Sequence, residues 1–200
     1  MKKTVKYYFS PMSCWTYLGH ERFHQIVKET DTTVVLKPFA PLTLFAAAGG
    51  LPLAERPEQR QKYRLVELRR WKDYLNSPIT IEPKYFPYDP KTASLAIIAT
   101  NKIFGQDDAM RLTQKLLEGC WVNNKDMALI DEVKNCLEEC SINSDKIFTV
   151  IDEDNIGSAY DTNTEEAIND SVFGAPTFII DDEPFWGQDR LDFVERKLKG

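Results

Sequence analysis

The chain has 200 residues, 42% of them hydrophobic, which suffices for one buried core, or one core with a helical appendage. Its net charge of −6 and its 25 unclustered basic residues argue against a nucleic-acid surface, which needs a lysine and arginine stripe. No apolar run approaches the roughly 20 residues of a bilayer-crossing helix. The basic start, Met1 to Lys6, leads into an aromatic strand rather than the leucine-rich core of an export signal. A cytoplasmic chain is therefore expected, with Cys14, Cys120, Cys136 and Cys140 reduced. Cys136 and Cys140 lie one helical turn apart and read as small core-facing hydrophobes.

Residues 4–9 read as a first strand, and 14–28 as a helix with Trp15, Leu18, Phe23 and Ile26 for its buried side. Residues 33–37, rich in β-branched side chains, read as a second strand. Helical spacing then dominates, over 58–75, 92–104, 107–122, 130–139, 144–151 and 164–169. Asp107 and Ser144 stand where N-caps are wanted, and Pro78, Pro83, Pro87 and Pro90 punctuate an irregular connection. Strand character returns at 177–180 and 184–186, and a helix over 188–199 closes the chain. An α/β unit made of residues 1–40 and 172–200 is thus interrupted by an all-helical insertion, 41–171.

Two distant segments carry the chemistry. Tyr7-Tyr8-Phe9-Ser10-Pro11-Met12-Ser13-Cys14-Trp15-Thr16-Tyr17-Leu18 is a strand, a polar turn and a helix start, and Val172-Phe173-Gly174-Ala175-Pro176-Thr177-Phe178 is a strand opened by proline. These are the parts of a thioredoxin-like site, in which a redox protein would carry Cys-x-x-Cys. Here the two thiol positions hold Ser13 and Thr16, which rules out dithiol cycling through that pair. A hydroxyl at a helix N-terminus suits a protein that binds a thiol, because unpaired amides and the helix dipole favour a thiolate there. The same serine is also an ordinary N-cap residue, and both readings stay open. Pro176 could equally be a trans proline at a strand's first position.

With Phe185-Trp186-Gly187-Gln188-Asp189-Arg190-Leu191, these segments resemble the 2-hydroxychromene-2-carboxylate isomerase and kappa-class glutathione transferase family, within the DsbA-like thioredoxin superfamily. The resemblance covers nearly the whole chain and implies a thioredoxin-like α/β fold with a large helical insertion, glutathione as cofactor, and a homodimer. It implies that Ser13 donates a hydrogen bond to the glutathione sulfur. A cis Pro176 would expose the backbone of Ala175 for strand-like pairing with the tripeptide. Gln188 and Asp189 would hold the γ-glutamyl end, and Arg60 the glycyl carboxylate. The alternatives are a helix N-cap region for Gln188 and Asp189 and a solvated face for the arginine run around Arg60. Family members commonly have Pro where this chain has Cys14, and Ser-Asp or Asn-Asp where it has Gln188-Asp189.

The implied activity is a glutathione-dependent isomerisation of a conjugated 2-oxo acid, with a kappa-like transferase or a DsbA-like redox protein using Cys14 as alternatives. Gly49-Gly50-Leu51 falls at a loop where relatives supply an Asn, and Trp121 at a tryptophan that relatives place near the substrate mouth, with core packing as the alternative. One competing motif is His20-Glu21-Arg22-Phe23-His24, an H-E-x-x-H zinc pattern on a helix. It sits early in the helix launched by Ser13, away from any zinc-protease context, so His20 is expected on the helix surface, His24 partly buried, and no metal is expected.

Overall fold

The computed structural model describes residues 2–200; Met1, the first residue of the expected 1–40 segment, lies outside them, as does the side chain of Asp154. Strand β1 (Thr4–Phe9) leads through a turn into helix α1 (Cys14–Glu29), and β2 (Thr33–Pro38) returns parallel to β1. Strands β3 (Thr177–Ile180) and β4 (Glu183–Trp186) form a hairpin, and β3 pairs antiparallel with β1, giving the order β2-β1-β3-β4. This is the thioredoxin-like arrangement expected from the two chain ends. Between them lie α2 (Pro41–Ala47), α3 (Glu58–Tyr74), α4 (Lys91–Phe104), α5 (Gln106–Trp121), α6 (Ile130–Glu139), α7 (Ser144–Ile151) and α8 (Asp154–Asn169); α9 (Leu191–Lys199) ends the chain.

Alternation along β1 sorts its side chains onto two faces. Val5, Tyr7 and Phe9 join the main core with Phe23, Phe178 and residues of α4, α5 and α9, while Tyr8 joins a smaller cluster with Phe39, Leu44, Ala167 and Val172. Tyr7 stacks on Phe9 and Phe178 at centroid distances of 4.4 and 5.2 Å. The edge strand β2 is closed by a side chain: Gln106 accepts from the Val34 N–H at 2.7 Å and donates to the Thr32 carbonyl at 3.3 Å.

Several boundaries differ from the sequence reading. Helix α8 begins ten residues before position 164, because its buried positions Ile156, Tyr160, Asn163, Thr164 and Ala167 have helical spacing but include two polar residues. Those two serve backbone groups: Asn163 donates to the Pro38 carbonyl, and Thr164 Oγ1 accepts from the Ala40 N–H. Helix α2 was hidden by its brevity; Pro41 opens it, and only Pro41 and Leu44 are buried. Gly105, not a side chain, precedes α5, leaving Asp107 in its first turn, and Asn143 rather than Ser144 caps α7 by accepting from the Lys146 N–H. The segment 188–190 is a separate 3₁₀ turn, and the last helix starts at Leu191.

His20 is wholly buried rather than on the helix surface. Its Nε2 lies 2.9 Å from the Met110 carbonyl, which can only accept, so Nε2 carries the proton and Nδ1 accepts from Tyr7 Oη at 3.0 Å. Both nitrogens are thereby used, and neither is free for a metal. Burial lowers the His20 pKa to about 4. Because the unfolded chain then binds the proton that the folded chain refuses, this histidine makes stability fall as pH drops from about 6.5 towards 4. His20→Phe should flatten that part of the urea-stability profile relative to the parent. It should also cost about 1–3 kcal/mol at neutral pH by orphaning the buried Tyr7 hydroxyl, while the Met110 carbonyl keeps its bond within α5. A profile parallel to the parent's would show that His20 is charged in the fold.

Candidate active site

The turn between β1 and α1 is fixed before any ligand arrives. Ser13 N–H bonds to the Ser10 carbonyl at 2.9 Å, and the Met12 N–H to Ser10 Oγ at 3.3 Å. From the helical insertion, Tyr88 Oη donates to the Pro11 carbonyl at 2.8 Å and Trp121 Nε1 to the Met12 carbonyl at 3.3 Å. Ser13 itself is the N-cap of α1, its Oγ accepting from the Thr16 N–H at 3.2 Å. A hydroxyl that accepts through oxygen keeps its proton, so Ser13 can still donate to a second group. Trp121 is wholly buried, which makes it a brace for the turn rather than a wall of the cavity.

Beside this turn opens a cavity of about 960 Å³, at the upper end of the range for small-molecule sites. It is lined by Trp15, by the loop carrying Gly49, Gly50 and Leu51, by Arg56, Arg60, Tyr63, Arg64 and Trp71, and by Phe173, Ala175, Trp186, Gln188, Asp189 and Arg190. Of the residues selected from the sequence, Arg60, Ala175, Gln188 and Asp189 line it. Ser13 and Pro176 do not, although Trp15 and Ala175 beside them do.

The peptide bond from Ala175 to Pro176 is cis. The Pro176 carbonyl accepts from the Gly187 N–H at 2.9 Å, whereas Ala175 N–H and C=O take no partner among the described residues. Gly187 adopts φ +106°, a backbone that disfavours side chains, and a Cβ there would collide with Asp189 Oδ1. This turn folds Asp189 back over Gly187, where Oδ2 pairs with Arg190 at 3.0 Å. Gln188 is buried against α1: a Cβ on Gly19 would lie 2.8 Å from its Cβ.

The opposite wall is cationic. Arg56, Arg60 and Arg64 form no ion pair with a carboxylate among the described residues; Glu67, also in the wall, pairs with Arg70. Burial and then the charges of Arg60 and Arg64 lower the pKa of Arg56. Arg56 Nε donates to the Leu51 carbonyl at 2.9 Å, which occupies the one backbone acceptor that loop residue could offer. Arg64 donates to Cys14 Sγ at 3.2 Å. Cys14 is buried, and burial raises its thiol pKa more than Arg64 and the helix amides lower it. The sequence reading treated Arg56 and Arg64 as solvated. The signal was present as a four-residue spacing, 56, 60, 64, which places charges on one side of the chain as α3 begins.

The family model for the DSBA-like thioredoxin domain matches residues 4–199, and the chain belongs to that family. A 2-hydroxychromene-2-carboxylate isomerase of Sphingobium xenophagum is 26% identical over 99% of each chain. A glutathione S-transferase kappa 2 of Caenorhabditis elegans is 25% identical over 100% of this chain and 95% of the other. The solved structure of a 2-hydroxychromene-2-carboxylate isomerase superposes with a TM-score of 0.79 at 21% identity, covering 98% of this chain and 94% of that one. At that identity the superposition shows the shared fold.

The contact between α1 and the 188–190 turn sets the position of Asp189. Gly19→Ala should favour the helix intrinsically yet destabilise the protein by about 1–3 kcal/mol through overpacking against Gln188. Thermal unfolding measures this; a stabilised variant would show that the turn yields freely.

Proposed function

We propose that the protein is a cytoplasmic, glutathione-dependent isomerase of the 2-hydroxychromene-2-carboxylate type, acting as a homodimer on a conjugated 2-oxo acid. Its relatives named as an isomerase and a glutathione transferase support an enzyme. The observation that carries the reading is one cavity lined by Arg60, by the unpartnered backbone of Ala175 and by Asp189, beside the Ser13 turn. These donors and acceptors fit an extended tripeptide with a carboxylate at each end and an ammonium at one. In this reading residues 2–40 and 172–200 form the thioredoxin-like unit, and 41–171 the insertion that walls the substrate side.

When bound, glutathione would supply a thiolate nucleophile for reversible addition to a conjugated double bond, the chemistry by which such a bond isomerises with the thiol returned. Arg60 binds the glycyl carboxylate, Ala175 pairs with the peptide backbone next to Pro176, and Gln188 and Asp189 hold the γ-glutamyl end. Ser13 donates its free hydroxyl proton to the sulfur, and the α1 N-terminus favours the charged form. The buried, raised Cys14 thiol favours neither attack nor exchange, which speaks against the redox alternative.

Titration calorimetry with reduced glutathione is the first test. Asp189→Ala should weaken binding at least tenfold; affinity equal to the parent's would remove the γ-glutamyl assignment. Ser13→Ala should leave affinity within several-fold, because most contacts go to the peptide. It should raise the pKa of the bound thiol, since a hydrogen bond to an ionised acceptor contributes about 1.5–3 kcal/mol against roughly 1 for a neutral one. Ultraviolet absorbance of the thiolate against pH measures this, and an unmoved midpoint would leave Ser13 as a helix cap only. Product mass, with or without added glutathione, separates transferase from isomerase.

A further inference from the structure

Arg64 is the one charged group in the cavity wall whose hydrogen bond goes to a sulfur. Its guanidinium has five N–H donors, and the Cys14 thiol it touches at 3.2 Å is a weak acceptor. It lies against the faces of Phe86 and Trp121, at 5.2 and 5.9 Å from the ring centroids. The two adjoining rings hold the cation from one side, and the N–H groups not spent on Cys14 can take a planar carboxylate through two parallel bonds. Arg60, one turn earlier on α3, is exposed, whereas Arg64 is half-buried and touches the residue next to Ser13. The mutual repulsion of Arg56, Arg60 and Arg64 is relieved by an anion, and a tripeptide carboxylate held by Arg60 leaves Arg64 without one.

We propose that Arg64 is the specificity-determining residue for the second substrate, binding a carboxylate carried on a flat conjugated skeleton beside the sulfur position. This rests on the glutathione reading for its place in turnover, but the anion site itself does not. Trp15, Tyr63 and Trp71 supply aromatic walls for the skeleton, and Arg64 favours the acid over the neutral analogue because only the acid offers a charged acceptor.

Quenching of the lining tryptophans by cinnamate and by cinnamyl alcohol, without glutathione, tests the site directly in the parent, Arg64→Met and Arg64→Lys. The parent should prefer the acid, Arg64→Met should lose at least tenfold for the acid with the alcohol unchanged, and Arg64→Lys should fall between. A parent with no preference for the acid, or an Arg64→Met loss equal for both ligands, overturns the proposal. Calorimetry with glutathione provides the control for folding and for assignment: Arg64→Met should bind it within twofold of the parent. A tenfold loss of glutathione with cinnamate unaffected would place Arg64 in the tripeptide subsite and overturn the proposal. If the parent binds no glutathione, the proposed function falls, and the cinnamate arm still decides Arg64. In turnover, the kcat/KM preference for benzylidenepyruvate over benzylideneacetone should fall at least tenfold in Arg64→Met; an unchanged preference overturns it.

Discussion

The hydrogen bonds from Tyr88 to the Pro11 carbonyl and from Trp121 to the Met12 carbonyl are the contacts on which the site depends. A polar turn between a strand and a helix has carbonyls that must be satisfied, and here the satisfying groups come from the helical insertion rather than from the strand and helix themselves. The insertion therefore does more than cover the sheet. It sets where α1 begins, and with it the position of Ser13, of the free amides at the helix start and of Trp15 in the cavity wall. Loosening the Tyr88 anchor would shift the turn without altering any residue of the cavity wall.

Arg64 ties the same two structures together from the other side. It reaches from α3 to Cys14 and rests on Phe86 and Trp121, so the cation and the brace share a tryptophan. After Ser13 this chain has a thiol, Cys14, that gives Arg64 a soft resting contact. Burial and this contact make Cys14 a seat for the cation.

The architecture was legible at the chain ends because strand alternation, a helix start and a strand-opening proline are local signals. The strand boundaries at Thr4, Thr33 and Thr177 follow directly from β-branched and aromatic runs. Helix α8 was only partly legible, since Asn163 and Thr164 are buried for their hydrogen bonds, and polar residues break an apolar pattern. His20 was misplaced on the surface for the same reason: its partners, Tyr7 and Met110, come from β1 and α5, and only folding brings them together. Of the end-segment residues selected through the resemblance, Ala175, Gln188 and Asp189 line the cavity, whereas Ser13 and Pro176 do not. Of the cationic wall only Arg60 was selected, because charge spacing on a helix does not by itself reveal whether that face meets water or a cavity.

The sheet has two edges, and both resist extension. On β2 the Gln106 side chain occupies the Val34 N–H and the Thr32 carbonyl, acting as a one-residue surrogate strand. On β4, a strand of four residues, Pro184 lacks the N–H that an added strand would need. Backbone pairing is thereby steered away from the rims and left to the short irregular stretch at Ala175, inside the cavity. A main-chain N–H and C=O are thus kept unpaired within the cavity wall, while the rims of the sheet offer fewer such groups than bare edges would.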